Sequence, residues 1–116
     1  MKYACLCYDE EAKIKAMTAT EWEGIVREVY AYNEELRSKG KLIAAQALQP
    51  VASATTVRVR SGKVSTSDGP FAETKEQLGG FFLIEASDLN EAIQIASRLP
   101  GARIGCIEVR PTMDLK

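Results

Sequence analysis

Between positions 68 and 76 the chain reads Asp68-Gly69-Pro70-Phe71-Ala72-Glu73-Thr74-Lys75-Glu76, which gathers three carboxylates and one ammonium in a short segment. If such a segment folds over a pocket, burial raises a carboxyl pKa and permits proton transfer near neutral pH. Asp68 or Glu73 is then the candidate base, and Lys75 the group that binds an anionic substrate or steadies a developing oxyanion. Gly69, Pro70, Phe71 and Glu76 are read as ligand-binding positions: the Gly-Pro turn aims the Asp68 carboxylate into a cleft and Phe71 supplies an apolar wall. Tyr8 could bring a phenol to the same cleft, and Arg103 could pair a substrate carboxylate in bidentate fashion. Each has a plainer reading. Asp-Gly-Pro is a turn former that redirects the chain, the three charges after Phe71 fit a solvated loop, Tyr8 fits a core aromatic with its hydroxyl at the rim, and Arg103 fits a partner for helix C-terminal carbonyls.

Much other chemistry is excluded by residue type. There is no histidine, which removes the usual base near neutral pH, Ser-His and Cys-His nucleophile pairs, and the commonest transition-metal ligand. Cys5, Cys7 and Cys106 lack the spacing of a zinc set and read as reduced, small core residues. Gly79-Gly80 has neither the spacing nor the following helix of a phosphate-binding loop. No flavin, haem or nicotinamide pattern occurs, so the expectation is a protein without cofactor. With 15 basic and 16 acidic side chains intermingled, the chain offers no basic field for direct nucleic-acid binding. No apolar run approaches the roughly 20 residues of a membrane span, and Met1-Lys2-Tyr3-Ala4-Cys5 enters a strand pattern without a signal-cleavage region, so a cytoplasmic protein without membrane contact is expected.

The 116 residues, 46% apolar and 27% charged, describe one soluble domain, residues 1–116. Lys2 to Tyr8 reads as a strand, with Tyr3, Cys5 and Cys7 on one face and Ala4, Leu6 and Tyr8 on the other. After a polar connection from Asp9 to Ala19, Trp22, Ile25, Val26, Val29 and Leu36 form one helical stripe. Thr18 with Glu21, or Thr20 with Glu23, offers its capping box, and Lys39-Gly40 its stop. Lys41 to Leu48 is a second strand, ended by Pro50. Thr55 to Arg60 and Lys63 to Thr66 make a half-exposed hairpin about Ser61-Gly62. Ser67 to Leu78 is a long polar connection, and Phe81 to Ala86 a strand that is apolar on both faces. Ser87 or Asp88 caps a helix that faces the core with Leu89, Ala92, Ile93, Ala96 and Leu99 and ends at Pro100-Gly101. Ile104 to Val109 is the last strand.

Without the hairpin this order is β-α-β-β-α-β, a ferredoxin-like α+β arrangement whose two helices cover one face of an antiparallel sheet. The other face is also apolar and wants a partner. A second copy of the chain is the economical one, which makes a homodimer the expected assembly.

The runs Leu48-Gln49-Pro50, Ala54-Thr55-Thr56-Val57-Arg58 and Asp68 through Phe81, with the closing Ile107-Glu108-Val109-Arg110-Pro111, resemble the DGPF-domain branch of the YCII-related proteins. The resemblance implies a dimeric α+β barrel, into which the hairpin read above would be inserted, and it names no reaction. It also implies an association with sigma-factor systems, and a superfamily that includes cofactor-free enzymes acting on small cyclic substrates. Many members similar to this chain carry a histidine immediately before the glycine of the last strand, where this sequence has Ala102-Arg103-Ile104-Gly105. The His-Asp pair proposed as catalytic in the broader group therefore has no imidazole here. Two functions are expected to compete. One is small-molecule binding beside the Asp68–Glu76 loop, with acid–base isomerase or lyase chemistry. The other is a non-catalytic regulatory or interaction module, linked to a sigma-factor system, that uses the loop to dock.

Overall fold

A computed structural model describes residues 1–115. The order is β1 (Lys2–Asp9), α1 (Glu11–Lys15), α2 (Ala19–Ser38), β2 (Leu42–Ala47), a 3₁₀ turn (Val51–Ser53), β3 (Thr55–Arg60), β4 (Lys63–Asp68), β5 (Gln77–Glu85), α3 (Leu89–Ser97), α4 (Gly101–Ile104) and β6 (Cys106–Pro111). Four strands form one antiparallel sheet in the order β2-β5-β1-β6, with β3 and β4 as a separate two-stranded ribbon. This is the ferredoxin-like α+β arrangement that the element order implied.

Alternation sets the two faces of the sheet. Tyr3, Cys5 and Ile84 point to the helices and, with Ala86, meet Tyr32 and Leu36 of α2, Ala92, Ile95 and Ala96 of α3, and Leu99 just beyond it. The opposite face carries rows set by pairing: Ala44, Leu83 and Ala4 in one, Gln46, Phe81 and Leu6 in the next. Its apolar residues on β1 and β5 are only half-buried. α2 begins with the Thr18–Glu21 capping box, both reciprocal bonds being present, and Gly40 just beyond it has a positive φ. Its C-terminal half is clamped to α3. The Tyr32 hydroxyl donates to the Ile95 carbonyl at 2.8 Å, the Arg98 guanidinium lies 4.4 Å from the Tyr32 ring centre, and Arg98 pairs with both Glu35 carboxylate oxygens at 2.7 and 2.9 Å. The hydrogen bond from Arg98 holds the Glu35 carboxyl down at about 2.

Several elements differ from the sequence reading. The connection after β1 contains α1, one turn of helix too short to show a periodicity. It is fastened from outside: the Glu11 amide donates to Gln77 Oε1 at 3.0 Å, and the Glu11 carboxylate accepts from the Val51 amide at 2.9 Å. β5 starts at Gln77, because Gln77 and Leu78 pair with Asp9 and Tyr8 across a bulge. Gly79-Gly80, which the sequence reading leaves between the connection and the strand, lies inside the strand, and the long connection shrinks to residues 69–76. The helix after Asp88 ends at Ser97. Pro100 then opens the separate short α4, where a missing N–H costs nothing, so Ile104 belongs to α4. On α3, Leu89 and Ile93 are half exposed, and Ile95 takes the core position between Ala92 and Leu99.

The largest departure is in α2. Its stripe does not close on the sheet along its whole length. Tyr32 and Leu36 are buried, whereas Ile25, Val26 and Val29 are half-buried and Trp22 is exposed. The N-terminal half of the helix stands off the sheet and leaves a cleft.

Candidate functional sites on two sides of the sheet

The end of the sheet where β1 finishes carries a concavity on each side. Successive residues at the end of a strand point to opposite faces, so Tyr8 goes to one and Asp9 to the other.

The loop-side hollow, about 900 Å³, is bounded by Tyr8 and Leu78 of the sheet, the Leu48–Thr56 segment, and Pro70, Phe71, Ala72, Thr74 and Gln77. Its frame is local. Gly69 has φ +97°, its amide donates to the Ala54 carbonyl at 2.7 Å, and its carbonyl accepts from the Thr56 hydroxyl at 2.9 Å. Asp-Gly-Pro thus closes the base of the β3–β4 ribbon in a left-handed turn that suits glycine. Gln77 Nε2 donates to the Thr74 carbonyl at 2.6 Å and ties the loop to the sheet. Phe71 stands 79% exposed at the rim.

The structure brings Tyr8, Pro70 and Phe71 together around this hollow and places the loop charges elsewhere. Asp68 ends β4 opposite Thr55, and it and Glu73 are exposed. Lys75 reaches Glu10 at 3.8 Å. Glu76 accepts from the Cys106 thiol at 3.8 Å. Arg103 lies outside the lining of this hollow and is ion-paired with Glu28 of α2. Among the described residues Tyr8 is the one ionisable group in the lining.

The cleft between α2 and the sheet holds about 470 Å³. Trp22, Val26 and Val29 of α2 face Cys7, Asp9, Gly79 and Phe82 of the sheet, with Pro100 and Ile104 closing one end. Burial pushes the Cys7 thiol up to about 12, which leaves little thiolate near neutral pH while the cleft is closed. Asp9 differs. Its carboxyl lies over Gly79, where an added Cβ would come within 3.2 Å of Oδ2, so glycine leaves the room it occupies. Burial first, and then the like charges of Glu11 and Glu76, raise its pKa above the ordinary carboxylate value. The Asn33 side chain lines the same cleft, and its Oδ1 is buried without a hydrogen-bond partner among the described residues. Among the described residues no Lys or Arg lines the cleft. Among the described residues, no three His, Cys, Asp or Glu side chains gather into a set that could hold a metal ion.

Asp9 and Asn33 are absent from the sequence-based candidates. Asp9 read as the first residue of a polar connection, and its setting depends on the β1–β5 bulge that brings Gly79 beneath it. Asn33 was legible as a polar residue one position from the buried face of an amphipathic helix, a placement that calls for an explanation.

Fold and clefts together define an α+β domain of ferredoxin-like topology with concave sites at one end of its sheet. The chain belongs to the YCII-related domain family, whose sequence profile matches residues 1–116. It is 42% identical over 113 residues to the uncharacterized protein R00369 of Rhizobium meliloti (strain 1021), covering 96% of this chain and 91% of that one. Among solved structures it is similar to the 5-chloro-2-hydroxyhydroquinone dehydrochlorinase TftG of Burkholderia phenoliruptrix AC1100, in complex with 2,5-dihydroxybenzoquinone. The TM-score is 0.54 at 16% identity, over 97% of this chain and 94% of that one. At that identity the likeness concerns the fold. Among the described residues no helix is long and apolar enough to cross a membrane.

Proposed function

We propose that this YCII-related protein binds a small, ring-sized molecule in the cleft between α2 and the sheet and carries out lyase-type acid–base chemistry there, with Asp9 as the proton-transferring group. The observation that carries the reading is a carboxyl of raised pKa set in an apolar cleft. In its ionised form Asp9 takes a proton from the ligand. The electron pair left behind forms a double bond and expels a leaving group with its own pair, and the protonated carboxyl then releases its proton to water. A raised pKa makes Asp9 the stronger base for the first step. Trp22 and Phe82 supply apolar walls for a ring. The dehydrochlorinase with a similar fold is a precedent for such chemistry on a small ring compound, and no cofactor is invoked.

The loop-side hollow favours a second reading by its volume: ligand binding against Tyr8, Pro70 and Phe71, with the charges of Asp68, Glu73, Lys75 and Glu76 outside its lining. The two readings separate in one experiment, a thermal-shift screen against phenols, hydroquinones, lactones and small carboxylates. A compound bound only by the folded state adds about 2.7 kcal/mol at a hundredfold excess over its Kd. The cleft reading expects that shift to disappear in Val26→Trp, which fills the cleft, and to persist in Phe71→Ala. The reverse pattern places binding beside the loop.

Self-association through the open face of the sheet is part of the same proposal. Leu6, Phe81 and Leu83 lie half-buried there with no helix above them, and sedimentation of a stable monomer would contradict it.

A further inference from the structure

The β3–β4 ribbon is a physical anomaly. It pairs with no other strand, and an isolated two-stranded hairpin is at best marginally stable in water. Its tip, Ser61-Gly62, has positive φ at both residues (52° and 75°), which suits a tight hairpin turn. Among the described residues nothing covers its valines. The register places Val57, Val59 and Val64 on one face, with Val59 directly opposite Val64, and they stand 61%, 55% and 69% exposed. The other face carries Arg58, Arg60 and Lys63, all exposed, and none forms an ion pair within the described chain. The radius of gyration is 16.1 Å, against about 13 Å for a compact domain of this length, as a projecting arm requires.

We infer that this arm docks on a second copy of the chain, its valine face against an apolar surface of the partner and its cations beside the partner's acids. Charge selects that occupant. From Thr55 to Asp68 the ribbon has three cations and one acid, Asp68 at its base, whereas the whole chain has a net charge of -1, so the ribbon is basic and the body beyond it acidic. Its acids include Glu10, Glu11, Glu21 and Glu23 around α1 and the start of α2. A basic arm and an acidic body on one chain are complementary between two copies, and a two-fold pair would make the contact twice. The inference rests on the self-association proposed above and adds which segment reaches across.

The test uses the full chain in sedimentation equilibrium, with two arm variants. Val59→Asp with Val64→Asp places carboxylates in the apolar contact, and Arg58→Glu with Arg60→Glu reverses the charge. Both pairs are solvent-exposed in the single chain, so far-UV circular dichroism should stay unchanged. The expected result is a dimer that each variant weakens about tenfold or more, with wild-type association weakening as salt rises. Zero-length carbodiimide coupling of mixed light and heavy protein should join Lys63 to an acid of the other isotope. A wild-type monomer overturns the arm and the sheet-face association together. A dimer indifferent to both variants, with no Lys63 coupling between copies, overturns the arm alone. Binding of a monomer to anionic vesicles or to DNA through the same cations would overturn it in favour of another occupant.

Discussion

The two concavities at the end of β1 share a strand, and their walls differ in chemistry. The loop-side hollow is the larger, about 900 Å³ against about 470 Å³, yet its lining offers one phenol, several hydroxyls and amides, and carbon. The helix–sheet cleft holds a carboxyl whose proton affinity its surroundings have raised. Volume measures what can be admitted, whereas a perturbed titratable group measures what can be done to it. A one-residue step along β1, from Tyr8 to Asp9, moves from one to the other.

The largest effect should come from Asp9→Asn, which keeps the shape of the cleft and removes the base. Once a turned-over compound is found, kcat should fall by roughly 10²- to 10⁴-fold with little change in KM. Tyr8→Phe and Phe71→Ala should leave kcat near wild type, and the opposite ranking would move the chemistry to the loop side. Next is Gly79→Ala. Its methyl group would press on the Asp9 carboxyl, and displacement of a reacting group by a fraction of an ångström should cost roughly tenfold in kcat. A kcat unchanged by that substitution would show that the carboxyl is free to move without penalty.

A smaller effect concerns stability. The folded state binds a proton at Asp9 more tightly than the unfolded chain does. The resulting stabilisation is fully present below the ordinary carboxylate pKa and is lost as pH rises through the folded value. Asp9→Asn should therefore gain on wild type in denaturant midpoint as pH rises above the ordinary carboxylate range, and parallel pH profiles would remove burial as the cause of the shift. Smallest of all, Phe71→Ala should change stability by no more than about 0.5 kcal/mol, because the ring is mostly in solvent. A larger loss in sedimenting dimer than in isolated chain would show that a partner covers the ring.

Periodicity carried most of the fold into view. The α2 stripe, its Thr18 cap, the β3–β4 ribbon and the two-sided strands are properties of short stretches, and local spacing reports them. The candidate site was less legible for the same reason. Glycine, proline and a high density of charge drew attention to residues 68–76, where the turn chemistry was read correctly, but a side chain's direction at a loop end depends on what it meets. Lys75 meets Glu10 and Arg103 meets Glu28, contacts between segments distant in the chain. Asp9 was hidden because its setting is built by pairing. Only when Gln77 and Leu78 join β1 across the bulge does Gly79 come to lie beneath it. The stripe on α2 was visible, but not that its first turns stand away from the sheet.

The three thiols form a depth gauge that needs no added label. Cys106 is exposed, Cys7 is half-buried with its thiol pushed up to about 12, and Cys5 is fully buried and held up at about 11. An alkylating reagent should modify them at three separate rates. Cys106 reports the resting surface, Cys7 the breathing of α2 away from the sheet, and Cys5 the opening of the whole core. A ligand seated under α2 would slow the second rate and leave the first unchanged, so the order in which these sulfurs react is a clock for occupancy of the cleft.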